Sequence, residues 1–215
     1  MKVAAAKKEN GASLGRPREF DEDKVLEATA NAFWRRGYHA TSIENLCEAT
    51  GLLRGSLYAA YGDKRGIFLA ALNRYCRGRC ERLEKSLNDS PPGREILREG
   101  LRYYIQTGSD LDLARACFIT NTALEMTPQD REVTAIIERT FRTMSALWCK
   151  AAIAARDAGE FAPGLKEKTV GDFLFCIVQG VRVLSKIYEP DELTAVVDLA
   201  LSALDQEAGC AKPRR

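Results

Sequence analysis

Between Thr41 and Lys64 the chain reads TSIENLCEATGLLRGSLYAAYGDK, and few folds can accommodate such a run. Ile43, Leu46 and Cys47 share one helical face, Gly51 interrupts, and Leu53, Leu57 and Tyr58 open a second face, which predicts two short helices joined by a tight turn. That is a helix-turn-helix pattern. Thr41 and Glu44 have the spacing of a capping box and so predict where the first helix starts, while Gly51 tolerates the positive φ that the turn needs. The second helix carries Arg54 at its start and small residues on its outer side, Gly55, Ser56, Ala59 and Ala60. A helix so dressed can lay its backbone close to a groove.

The remainder keeps helical periodicity and shows no persistent strand alternation, so the expected fold is all-α: an N-terminal three-helix unit followed by a larger helical domain. Residues 1–19 lack apolar periodicity and read as a basic arm; the boundaries expected after it are 20–66 and 67–208. Val25, Leu26, Thr29, Ala32 and Phe33 mark the inner stripe of a first helix that Arg35, Arg36 and Gly37 should close. Asp63 can cap a long helix that ends before Pro91, Pro92 and Gly93. Further helices are expected near residues 94–107, 116–126, 128–158, 167–187 and 191–205. The last two carry apolar stripes wider than one neighbour requires.

Charge is distributed unevenly: residues 1–85 hold 16 Lys and Arg against 11 Asp and Glu, and residues 86–215 hold 16 against 19. A basic first part on a mildly acidic body suits a polyanion-binding module joined to a domain of another kind. No apolar run approaches the roughly 18 residues needed to cross a bilayer, and the first ten residues contain no signal-peptide core. The expectation is a cytoplasmic protein whose seven cysteines are free thiols. One histidine, His39, leaves no plausible catalytic triad, no Gly-rich phosphate loop is present, and Cys76 and Cys80 lack partners for a metal. No catalytic residue, metal or cofactor is therefore assigned.

With FWRRGYHATS before it and LYAAYGDKRGIF after it, the helix-turn-helix resembles the DNA-binding domain of TetR-family transcriptional repressors over roughly residues 16–72. Phe33, Gly37, Tyr38, Thr41, Ser42, Ile43, Gly51, Gly55, Leu57, Tyr58, Tyr61, Lys64 and Phe68 carry the resemblance. It implies a homodimer on a palindromic double-stranded DNA operator. Thr41, Ser42, Tyr58, Tyr61 and Lys64 would grip the phosphate backbone, Arg54 would read a base edge, and Gly55 and Ser56 would lie close beside it. Arg16 and Arg18, flanking Pro17, have the pattern of an arm for a narrow minor groove, the alternative being a solvated basic tail.

The resemblance further implies that the last two helices form a dimeric four-helix bundle, with Gly171 and Gly180 permitting close approach; alternatively, their stripes fill the core of one protomer. A small-molecule inducer would bind in the larger domain, where Phe118, Asn121, Phe141, Met144, Trp148, Phe173 and Cys176 could line a pocket or simply form core. The segment ACFITNTALEMTPQDREV is similar to a motif in the branch containing the repressor of N-ethylmaleimide reductase. In that branch a cysteine in a similar motif senses electrophiles or oxidants, which makes Cys117 a candidate sensor, the alternative being a small buried hydrophobe. Other readings of the chain are an activator or architectural DNA binder without inducer response, or a helical enzyme.

Overall fold

The computed structural model describes residues 20–90, 94–108, 117–160, 165–185 and 187–204. Those residues form nine helices and no strand: α1 (Glu22–Ala40), α2 (Ile43–Thr50), α3 (Arg54–Tyr61), α4 (Lys64–Asp89), α5 (Arg94–Gly108), α6 (Phe118–Met126), α7 (Arg131–Asp157), α8 (Glu167–Leu184) and α9 (Pro190–Ser202). Arg16 and Arg18 lie outside the described residues.

Local chemistry accounts for most helix ends. Asp21 caps α1 by accepting from the Lys24 amide, Asp63 caps α4 through Gly66, and Asp130 caps α7 through Glu132 and Val133. The start of α2 corrects the capping box expected from Thr41 and Glu44. The cap is Ser42, whose Oγ accepts from the Asn45 amide at 3.3 Å while Asn45 Oδ1 accepts from the Ser42 amide at 3.0 Å. Thr41 is instead fully buried, its hydroxyl donating to the Gly37 carbonyl at 2.6 Å. Gly51 ends α2 with φ 71°, the left-handed cap that a glycine adopts without steric cost. Gly37 interrupts α1 at φ 80° and ψ 169°, and one more turn, through Ala40, follows it.

Two apolar cores result. The first joins α1, α2, α3, the N-terminal half of α4, all of α6 and the opening turns of α7 around Phe33, Leu46, Leu57, Phe68 and Ile119. The second joins the far end of α4 with α5, the rest of α7, α8 and α9 around Leu97, Leu101, Trp148, Leu174 and Leu193. Burying each such side chain contributes about 1.5–3 kcal/mol. Helices α4 and α7 run through both cores, so the head and the body are packed as neighbours. The expected boundary at residue 66 falls between Leu57 and Phe68, two members of one cluster.

Helix α7 packs on α8 more extensively than any other helix pair, and Gly171 is the reason it can. A Cβ at Gly171 would lie 2.6 Å from Cys149 Cβ and 2.7 Å from the Ser145 carbonyl oxygen. Of the two expectations for these helices, an interface between protomers and the core of one, the close approach at Gly171 is made inside one protomer. Gly180 faces open space. Val183, Ile187, Tyr188, Val196 and Leu199 leave an exposed apolar face along α8, α9 and the turn between them. Among the described residues no helix is long and apolar enough to cross a membrane.

Candidate nucleic-acid interface

Helix α3 is fastened by one residue and bare elsewhere. Leu57 is wholly buried in the first core, whereas Arg54, Gly55, Ser56 and Ala59 are exposed and Leu53, at the N-cap, is 79% exposed. No acidic residue occupies the first turn, so the positive end of the helix is not neutralised there. The Arg54 guanidinium lies 5.2 Å from the centre of the Tyr58 ring. Such an exposed contact is worth about 0.5–1 kcal/mol, less than a paired contact with guanine would gain, so it parks the side chain without holding it.

The flanking groups suited to phosphate divide into those that can reach outward and one that cannot. Ser42 is exposed, its Oγ accepting from the Asn45 amide while its hydroxyl donates to the Glu44 carboxylate, so contact with phosphate would exchange that bond for another. Tyr58 and Tyr61 are half-buried on α3. Lys64 opens α4 with its ammonium 4.6 Å from the centre of the Tyr38 ring. Thr41, expected among the backbone grips, is sealed inside with its hydroxyl already donated, so it positions α2 and does not touch phosphate.

Behind this surface lies a connection that spacing in the sequence could not reveal. The carboxylate of Glu125, on α6, accepts from the amides of Tyr38 and His39 at 2.9 Å each, capping the short turn that follows Gly37. The positive φ favours glycine at this position, and a Cβ there would also meet that carboxylate at 2.9 Å and displace it. Nearby, Arg65 of α4 pairs with Asp130 at 3.0 Å and Glu132 at 2.6 Å at the start of α7. Asp130 is held below the usual carboxylate range by the Val133 amide and by Arg65. The helix-turn-helix is thus bolted to α6 and α7 at two points.

The pocket expected from the sequence does not assemble. Phe118 is buried in the first core and Phe141 packs on it, Met144 and Trp148 are buried in the second with Phe173 packed against it, Asn121 is half-buried and Cys176 is exposed. None of the seven lines the two adjoining cavities that open along α4. The larger, about 640 Å³, lies among α1, α4 and α5; the smaller, about 270 Å³, lies between α4 and α5, and both are lined by Arg79, Arg82 and Tyr103. Cys117 forms the N-cap of α6, as a helix-start position requires, but is only 2% exposed. Burial pushes the Cys76 thiol up to about 12, and among the described residues no three His, Cys, Asp or Glu gather as metal ligands.

This geometry has close counterparts. The model of the bacterial regulatory proteins of the tetR family matches residues 25–71, and that of the tetracyclin repressor-like C-terminal domain matches residues 93–201. The chain is 31% identical over 198 residues to the uncharacterised HTH-type transcriptional regulator YezE of Bacillus subtilis, covering 89% of this chain and all of that one. It is 28% identical over 179 residues to the HTH-type transcriptional repressor ComR of Escherichia coli, covering 81% and 83% of the two chains. Among solved structures, a cysteine mutant of the regulator CifR complexed with a 26-bp operator superposes with a TM-score of 0.76 at 29% identity, covering 88% of this chain and all of that one. The reduced form of E. coli NemR shares the fold, with a TM-score of 0.71 at 16% identity.

Proposed function

Because the chain belongs to the tetR family of bacterial regulatory proteins, we propose that it is a dimeric repressor that leaves its operator when a small molecule binds its larger domain. The observation that carries the reading is α3 itself, anchored by Leu57 and otherwise offering Leu53 to Ser56 to a groove. One such helix covers a half-site. Two must stand about 34–36 Å apart to enter successive major grooves on one side of a duplex, and a symmetric dimer sets that distance. The exposed apolar face of α8 and α9 is the surface assigned to that dimer.

Release requires a ligand that prefers a geometry in which the two heads no longer match the groove spacing, since only differential affinity shifts such an equilibrium. Glu125 and Arg65 are the groups through which α6 and α7 would transmit that preference. An electrophile route is assigned to Cys117, exposed when α6 moves; release from DNA by N-ethylmaleimide in wild type and not in Cys117→Ser is what it requires. Arg16 and Arg18 are assigned to the flanking minor groove, and the setting is the cytoplasm, where a bacterial operator lies. The primary test is footprinting of the purified chain on the DNA upstream of its own gene, with sedimentation in parallel. A protected palindrome and a dimeric mass are expected; a monomer without preference over competitor DNA overturns the proposal.

A further inference from the structure

A half-buried guanidinium with one orphaned nitrogen marks a place that suits an anion. Arg79 lines both cavities, yet its Nε is closed off from solvent and has no hydrogen-bond partner, the nearest compensation being the Tyr104 ring at 5.9 Å. Arg182 approaches the same ring to 5.1 Å from α8. Leaving such a group unsatisfied is costly, and a ring face recovers only part of what a paired anion supplies.

Among the described residues that line the two cavities, three of the four acidic groups pair with other arginines. Asp23 and Glu27, at the mouth of the larger cavity, pair with Arg74, and Glu81 pairs with Arg77. The smaller cavity holds Arg79, Arg82 and Lys85 against Asp89. Burial pushes the Tyr75 hydroxyl up to about 12 and raises Tyr104, and in both cases Arg79 and Arg182 act in the opposite direction. Across the two linings, five Lys and Arg stand against four Asp and Glu. The walls are aromatic: Tyr103 and Tyr104 meet edge to face at 5.4 Å, and Tyr75 meets Trp34 at 6.0 Å.

We propose that these joined cavities take a small aromatic carboxylate, its carboxylate received by the Arg79 fork with Arg82 at the rim, and its ring lodged against Tyr75 and Tyr103. A guanidinium offers paired donors in the plane that a carboxylate needs, and tyrosine faces accept a flat apolar body. The proposal rests on the reading of the chain as a ligand-responsive regulator and specifies the class of ligand. It places the ligand against α1 of the head and against α4, which runs through both cores.

Calorimetric titration of the purified full-length protein with 2-naphthoate and with its neutral counterpart 2-naphthamide tests it. Wild type should bind the acid about tenfold or more tightly than the amide. Arg79→Gln should lower affinity for the acid to that for the amide, and Arg79→Lys should keep part of the difference. Circular dichroism and operator binding without ligand should be the same in the variants as in wild type; should Arg79→Gln fail to fold, Arg82→Gln at the rim should still weaken the acid selectively. Equal binding of acid and amide, no binding of the acid, or full affinity in folded Arg79→Gln overturns the proposal. Failure of the wild-type protein to bind any operator would overturn the repressor reading instead, and the titration reads the cavity whichever way that result falls.

Discussion

Arg54 and Leu53 stand side by side at the open end of α3, one charged and one apolar, and they suit different features of a base pair. A guanidinium can pair with the O6 and N7 of guanine, whereas an exposed leucine can only rest on an apolar edge such as the thymine methyl. Arg54→Ala is expected to lose about 1–3 kcal/mol of discrimination at one base pair, visible as relaxed choice in a selection from randomised operators. Lys64→Ala should weaken all sequences alike and flatten the salt dependence of binding, because its ammonium is suited to phosphate. Arg54 stands out in the sequence as a cation that opens a helix of small residues, and the structure leaves it exposed. It did not make Thr41 legible, since a threonine beside a helix start reads the same whether its hydroxyl points out or, as here, back to Gly37. Leu53 was read as part of an apolar stripe, and only its 79% exposure separates it from core.

At the scale of helices, the ends carry the coupling. Glu125 caps the turn after Gly37 from 86 and 87 residues away, and the Tyr38 in that turn offers its ring to Lys64, so one carboxylate on α6 steadies the cation at the start of α4 that is proposed to meet phosphate. Glu125→Ala should remove a cap worth about 1 kcal/mol, lowering both the melting temperature and operator affinity, while leaving base preference unchanged in the same selection. Asp130 permits a test by pH. Its pKa is depressed from 3.8 in the folded chain, so the stability it contributes is complete above that value and is lost as pH falls through the lower, folded pKa. Asp130→Asn should therefore melt below wild type at neutral pH, and the gap should close in scans taken progressively below pH 3.8. Helix positions were legible from periodicity and from Gly51 and Asp63; the ties between helices were not, because a hydrogen bond across 86 residues leaves no period in the sequence.

For the whole molecule, the exposed face of α8 and α9 should decide assembly. Burying Ile187 and Leu199, which are 76% and 72% exposed, would gain about 1.5–3 kcal/mol for each side chain covered. Ile187→Glu with Leu199→Glu should yield a monomer by sedimentation that keeps its helical circular dichroism and loses most of its operator affinity. The width of those stripes was visible in the sequence, whereas the placing of Gly171 was not, since a small residue on a helix fits a contact within a protomer as well as one between protomers. A related ambiguity attends Phe118, Met144 and Trp148, whose composition suits a ligand site or ordinary core; all three are buried in the core. The sharing of the first core by α6 and the opening of α7 bears on anyone wishing to graft this specificity onto a relative. A transplant cut after the sixth or seventh tens of the numbering would strand Phe33 and Phe68 against a foreign floor; the smallest cassette that travels intact has to bring the stretch from Cys117 to Ile137 with it.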